Sequence, residues 1–481
     1  MAYKNIFGHF AVITGGTFIN MLIGVFTTPI ITRLVDPISY GQAAIFTLYG
    51  NIAVMIFCLG MDQTLVRYYY SSDSVTYKSA LLSKCVFYPF VISIFLSLLF
   101  LSTRYFGLID FDFDFAISGL LCVFVISSIL NRFSFLVVRL SYFTKLYAIL
   151  NIWHKLLYAI FVVLGVYILK GHFLFILTFS AVLSIVLTSV VGLIKNKKIW
   201  FGKKDVSLIP KNKELIRYGI PFILSMGIVS VFQGVSQFTI KAYRSFDEVG
   251  TFAAAMTMVH IFTILQSSIN ALWAPLTTEH FEKAPDKKDF FVKGNSYISI
   301  LMFIFGIIVI ASKDILALFL GPKFREASYI LPCLVFIPIM YTISETTVIG
   351  INFSKKSHLH IWSATIGLCV SVVVNILLVP PLGNKGAAIS SAISYIAFFS
   401  ARSWLSQKCY KIPYNFSKLL SATFIVFCYA ATNTFYQSTR LNLTGFAATL
   451  CLVIAIYRYD FLGCMRYIYA SVSQHKKIKN L

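Results

Sequence analysis

Uncharged apolar runs fill most of the chain, and they come in pairs joined by short polar connectors. Phe10 to Thr32 carries no formal charge across 23 residues, which at about 1.5 Å per residue is long enough to cross a hydrocarbon core of roughly 30 Å. The connector Arg33 to Asp36 leads into the uncharged run Pro37 to Met61, where Asp36 suits a helix N-cap and Pro37 the first helical position. The same grammar returns at Tyr218 to Ile240, a connector from Lys241 to Glu248, and Val249 to Thr278. Aligning Tyr40-Gly41 with Val249-Gly250 sets Asn51 opposite His260, so a polar residue interrupts both helices at the same step. Further apolar runs predict helices near 85–103, 115–137, 146–169 and 172–194, then near 294–312, 327–348, 358–379, 384–401, 419–437 and 442–459. The expected fold is all-α, a polytopic membrane protein of about 14 transmembrane helices, with two six-helix lobes related by a repeat and two C-terminal helices. Its divisions are a first lobe over 1–194, a basic linker over 195–217, a second lobe over 218–405, and two extra helices with a basic tail over 406–481. The first apolar run leads directly into the repeat, so a cleavable signal peptide is not expected.

Composition agrees with a chain that uses lipid as its solvent: 58% of residues are hydrophobic and 12% charged. A formal net charge of +23 raises the question of nucleic acid, and the placement of the charge answers it. With the N-terminus in the cytoplasm, 30 of the 41 lysines and arginines fall in cytoplasmic segments and ten in outward connectors, leaving only Lys155 unassigned. In that count Arg132 and Arg402 belong to cytoplasmic segments. The bias follows the positive-inside rule, so no nucleic-acid partner is expected, and both termini should be cytoplasmic.

Outward loops are too short to hold a folded domain, which argues against a membrane polymerase with a loop-borne active site. Nine cysteines are scattered without a C-x-x-C pair, and no P-loop, dinucleotide fingerprint, H-E-x-x-H or G-x-S-x-G motif is present. No catalytic residue, metal or cofactor is therefore assigned. Asp110, Asp112 and Asp114 alternate as metal ligands can, but read more simply as a solvated cap before the fourth helix.

Two related halves with polar residues at mid-depth are the organisation of a transporter more than of an enzyme. Ser230, Gln233, Gln237 and Lys241 recur at steps of three and four, as do Thr263, Gln266, Asn270 and Trp273, with His260 one turn earlier. Thr17, Asn20, Gly24 and Thr27 form the corresponding stripe in the first half. These stripes can line a hydrophilic cavity in which Trp273 meets a sugar face, or they can be interhelical glue. Gly15, Gly16, Gly24 and Gly227 suit close helix packing. Glu345 is a candidate for a coupling proton or cation, with hydration or pairing as the alternative. Lys155 lies nine residues, roughly 14 Å, from the expected helix start. A cation there faces the cavity or a buried partner such as Glu345 or His154, because a lipid-facing lysine at mid-depth costs roughly 2.5–3.5 kcal/mol.

Several stretches resemble the Wzx-type oligosaccharide flippases of the multidrug/oligosaccharidyl-lipid/polysaccharide exporter superfamily. They are Thr32-Arg33-Leu34 to Asp36 with Tyr40-Gly41, Gly60-Met61-Asp62-Gln63 to Arg67-Tyr68, Leu320-Gly321-Pro322-Lys323-Phe324 to Ala327, Asn375 to Pro380, and Gly383 to Gly386-Ala387-Ala388. The resemblance spans nearly the whole chain and rests on the order and spacing of motifs that are weak singly. It implies alternating access across a bacterial inner membrane, with an undecaprenyl-diphosphate-linked oligosaccharide for O-antigen or a related polymer as cargo. It further implies a polysaccharide polymerase and a chain-length regulator as partners. A cation-coupled multidrug exporter of the same fold is the alternative, although such an exporter is expected to carry an acid in the first helix, where Phe10 to Thr32 has none.

Overall fold

The computed structural model describes residues 2–205, 209–460 and 462, with the side chains of 2–14, 17, 263 and 264 left aside. Among the described residues the secondary structure is entirely helical, and the chain divides into two compact units, 1–241 with 245–253, and 242–244 with 254–481. That division falls later along the chain than the basic linker at which the sequence reading separates the lobes.

The first unit contains α1 (Ala2–Leu34), α2 (Pro37–Phe57), α3 (Met61–Tyr68), α4 (Val75–Tyr105), α5 (Phe115–Leu140), α6 (Thr144–Ile168), α7 (Phe173–Lys195), α8 (Lys197–Phe201) and most of α9 (Asn212–Tyr243). The boundary between units falls within α10 (Phe246–Val259). In the second unit follow α11 (Ile261–Lys283), α12 (Asp289–Ala311), α13 (Lys313–Phe319), α14 (Ala327–Leu334), α15 (Phe336–Thr347), α16 (Ile349–Phe353), α17 (His358–Leu382), α18 (Asn384–Cys409), α19 (Phe416–Phe435) and α20 (Thr439–Ile456). Among the described residues ten helical segments are long and apolar enough to cross a bilayer, α14 and α15 together counting as one.

Local chemistry explains where these helices begin and break. Asp36 accepts a hydrogen bond from Ser39 N at 2.9 Å with Pro37 in the first turn, and Asp114 caps α5 by accepting from Ile117 N at 3.0 Å. Two expected single helices are divided. The run 249–275 is interrupted at His260, whose N–H is shared between Met256 O and Thr257 O. The run 327–348 is interrupted at Val335, between Pro332 and Pro338, neither of which has an N–H to give the ladder. Four short helices, α3, α8, α13 and α16, escape a search for apolar runs because none is a span.

A buried core joins α2, α3, α4 and α5 through Val54, Leu65, Leu81, Cys85, Ile129 and Phe133, with Leu215 of α9 added to it. Two glycine crossings tie the unit together at opposite ends of α2. A Cβ on Gly41 would stand 1.9 Å from Phe246 O and 2.7 Å from Gly250 N, while a Cβ on Gly250 would stand 2.0 Å from Pro37 O and 3.0 Å from Gly41 N. The residues paired by the repeat thus meet each other reciprocally, backbone on backbone. Beyond the far end of α2, Gly60 adopts φ +65° and a Cβ there would lie 2.1 Å from Gly219 O. Beside it Thr64 Oγ1 donates to Leu215 O at 3.1 Å.

Arg132 and Arg402, assigned to loops by the charge count, lie inside α5 and α18. Arg402 lies just beyond the apolar run 384–401 and its helix continues past that edge, whereas Arg132 already falls inside the run 115–137 and was counted with the loop that follows it. Lys155 is accordingly one of several basic residues within long helices.

Candidate functional site

Lys155 is the twelfth of the 25 residues of α6, near the middle of its span. Its surroundings are set by two glycines of α1. A Cβ on Gly16 would stand 2.4 Å from Ala148 Cβ, so α1 and α6 approach closely there. Two turns further on, a Cβ on Gly24 would stand 2.8 Å from Lys155 Nζ, so the missing side chain is the space that the ammonium occupies. Gly15 and Gly227, also expected to be packing sites, have nothing within 4 Å of a Cβ. Thr27 and Thr28 both donate to Gly24 O, at 3.3 and 2.9 Å, and turn their hydroxyls back on their own helix. Asn20, one turn earlier on the same face as Gly24, keeps a buried Oδ1 without a hydrogen-bond partner. Among the described residues Lys155 makes no ion pair or hydrogen bond. The adjacent His154 keeps a buried Nδ1 without a hydrogen-bond partner.

A second cation of this unit is tightly held. Arg132 donates through Nε at 3.0 Å and Nη2 at 2.6 Å to Oδ2 of Asp62, which also accepts from Gln63 Nε2 at 2.9 Å. Asp62 is 3% exposed, whereas the Arg132 side chain retains 33% of its exposure. Neighbouring Asn131 is turned to α7, donating to Ser189 Oγ at 2.9 Å. Sequence reading passed over this pair, although Asp62 was in view within a quoted motif and Arg132 fell inside the predicted helix 115–137.

The α9 stripe has an unequal fate. Lys241 donates to Asp112 Oδ2 at 2.5 Å and to Tyr49 OH at 3.0 Å, and Tyr49 donates to Asp112 at 2.8 Å. This closed triangle ties the α4–α5 loop to α2 and α9. The three aspartates of that loop take separate roles, since Asp114 caps α5 and the exposed Asp110 lies 3.9 Å from Arg104. Gln237 is half-buried, and Gln233 and Asn51 are exposed.

In the second unit His260 is exposed at the junction of α10 and α11, and Gln266 is half-buried. Asn270 carries a buried, unpartnered Oδ1. Thr17 and Thr263 have side chains outside the described set. Trp273 differs from its expected role as a sugar-facing aromatic. Its indole is 8% exposed, stacks on Phe290 at 5.8 Å, and covers Gly294, where a Cβ would come within 2.1 Å of the ring. Gly294 removes the side chain that would hold the indole off α12, so the ring belongs to packing.

Glu345 is paired. Arg402 Nη1 donates to Glu345 Oε1 at 2.7 Å and to Ser344 Oγ at 2.8 Å, and its guanidinium lies over Phe398 and Tyr341. His360 Nδ1 is 3.5 Å from Arg402 Nη2, while its Nε2 meets Asn352 Oδ1 at 3.0 Å. Each unit therefore buries a carboxylate–guanidinium pair, and Arg132 and Glu345 stand at nearly the same step of the fourth long helix of their halves.

Residues 8–281 match the family described as polysaccharide biosynthesis protein. An uncharacterized membrane protein of Methanocaldococcus jannaschii is 22% identical over 263 residues, covering 52% of this chain and 51% of its own. The chain thus spans about half the length of that curated relative. Among solved structures, the lipid II flippase MurJ in an inward closed conformation superposes with a TM-score of 0.68 at 13% identity, over 94% of this chain and 99% of that one. An inward-facing multidrug resistance transporter of the MATE family gives 0.54 at 14% identity, over 84% and 96% of the two chains. With residues 8–281 matched, more than half its length, the chain belongs to the polysaccharide biosynthesis protein family, and it shares the fold of those two solved structures.

Proposed function

We propose that this protein moves undecaprenyl-diphosphate-linked oligosaccharide repeat units across the bacterial inner membrane by alternating access, for O-antigen or a related surface polysaccharide. The observation that carries the reading is the Lys155 ammonium, held at mid-helix in the gap left by Gly24 with no acid paired to it. A cation so placed is costly unless something anionic visits it, and a diphosphate that must cross the same depth is a suitable visitor. Asn20, with a free buried carbonyl on the adjacent face, supplies an acceptor for a sugar hydroxyl. In this reading Asn51, Gln233 and Gln237 add polar groups to the lining of the first unit, and His260, Gln266 and Asn270 are the candidate substrate contacts of the second. Lys241 acts instead as the latch of the outward mouth, bonded to Asp112 beside the Gly41–Gly250 crossing. The Gly60–Gly219 crossing closes the cytoplasmic side of the same unit.

Glu345 stays the candidate for coupling to a proton or cation, and the coupling event would have to loosen its bond to Arg402. The polymerase and chain-length regulator are the partners in this reading, and both termini lie in the cytoplasm. No step requires a covalent reaction, and no catalytic residue is assigned.

Export of surface polymer tests the proposal. Lys155→Ala should abolish polymer while the protein remains inserted and abundant, and Lys155→Arg should keep part of the activity. Normal polymer from Lys155→Ala at wild-type protein levels would end the assignment of Lys155. Deletion of the gene should leave repeat units assembled inside but missing from the surface; units that reach the periplasm unpolymerised would favour a polymerase.

A further inference from the structure

We infer that the segment from Lys197 to Asp205 is a docked strap that binds the anionic phospholipid surface of the leaflet on the lysine- and arginine-rich side of the protein. This segment follows α7 immediately, so it starts where a membrane span ends. It is fastened to the protein by one face. Ile199 and Trp200 pack on the core of α2–α5, Ser79 Oγ donates to Gly202 O at 3.3 Å, and Asp205 N donates to Thr76 O at 3.3 Å. Lys204 Nζ reaches Ser83 Oγ at 2.9 Å.

The opposite face has a different chemistry. Lys197, Lys198 and Lys203 are exposed, Phe201 among them keeps 76% of its exposure, and Lys204 is exposed as well although its ammonium is held by Ser83. The acid within the strap is Asp205. A large aromatic left open among four lysines is poorly suited to water and well suited to an interface, where the ring enters the headgroup region and the ammonium groups meet lipid phosphates. Charge complementarity selects the anionic lipid over a zwitterionic one, and attachment to the end of a span puts the strap within reach of it. This assignment stands whatever cargo the protein carries. It also gives the linker between the two halves a second task, since a strap seated on lipid holds the ends of α4 and α7 at fixed depth.

Amide hydrogen exchange on the full chain in nanodiscs tests the inference. In discs of phosphatidylcholine with phosphatidylglycerol, the amides of 197–205 should exchange at least about fivefold more slowly than in phosphatidylcholine alone. The difference should vanish in high salt, vanish when the four lysines are changed to Gln, and shrink in Phe201→Ser. Equal exchange in the two lipids overturns the proposal, as does protection that survives both high salt and the lysine substitutions. If the fourfold variant fails to insert, the salt response of the wild type and the Phe201→Ser response decide. Protection produced in phosphatidylcholine discs by inorganic phosphate alone would assign a phosphate pocket and overturn the lipid surface.

Discussion

At the scale of single residues, the decisive fact about each charge in this molecule is whether it has a partner. Arg132 and Asp62 form a pair whose acid is buried, and removal of one member leaves the other charged in a low-dielectric setting. Arg132→Ala, which strands the buried carboxylate, should therefore destabilise the protein by roughly 3–5 kcal/mol, and replacing both members with apolar residues of similar volume should recover most of the loss. Thermal unfolding in detergent, read on both variants, checks this; equal losses in the single and double variants would place the stability elsewhere. Lys155 predicts the opposite pattern. No ion pair is broken by Lys155→Ala, so its melting temperature should stay near the wild-type value while export falls, and a large drop in melting temperature would show that the lysine is structural.

What the sequence made visible at this scale follows the same division. The depth of Lys155 could be counted along one helix, because depth is a property of a single segment. The partners of Glu345, Lys241 and Trp273 could not, because they come from α18, from the α4–α5 loop and from α12, and a linear stripe carries no information about which neighbour faces it. Arg132 and Arg402 were lost for another reason: a count that assigns every basic residue at or near the end of an apolar run to the adjoining loop cannot recognise a charge that a helix carries inside with a counter-ion.

At the scale of elements, apolar length and capping chemistry located the helices well, from the Asp36 cap to the span of α20. The divisions of helices were less visible. Pro332 and Pro338 mark the interruption at Val335 in the sequence, whereas His260 has no breaker beside it and no local physical cause for its interruption is evident. The glycine crossings supply a prediction proper to this scale. Gly41→Val and Gly250→Val should each force α2 and α10 apart, since the added carbon meets backbone and not a movable side chain. A cost of about 1–3 kcal/mol is expected for such overpacking. Amides 37–41 should then exchange faster with solvent in either variant, and unchanged exchange would mean that the helices do not rely on this contact. Gly60→Ala adds backbone strain at φ +65° to a clash with Gly219 O.

At the scale of the whole molecule, the imbalance of lysine and arginine predicts an orientation. Reporter fusions near residues 200, 285, 355 and 410 should read as cytoplasmic, and fusions near 110, 245 and 383 as external. A fusion at 200 that reads as external would break both the fourteen-helix topology and the placement of the α8 strap on the inner leaflet. A division into two halves was readable from the sequence as an expectation, because the aligned stretches preserve spacing. How helices group into compact units was not, since α9 opens the second half by its sequence pattern yet packs with the first.

The reciprocal meeting of Gly41 and Gly250 has a historical consequence. Two segments that the sequence alignment pairs touch here through atoms that every amino acid has, and the only demand either makes on the other is the absence of a side chain. Such a joint is blind to the rest of the sequence. The two segments could therefore diverge around it, with Asn51 in one where the other has His260, without renegotiating the contact. A duplication joined through matched side chains would have needed each change on one side answered on the other.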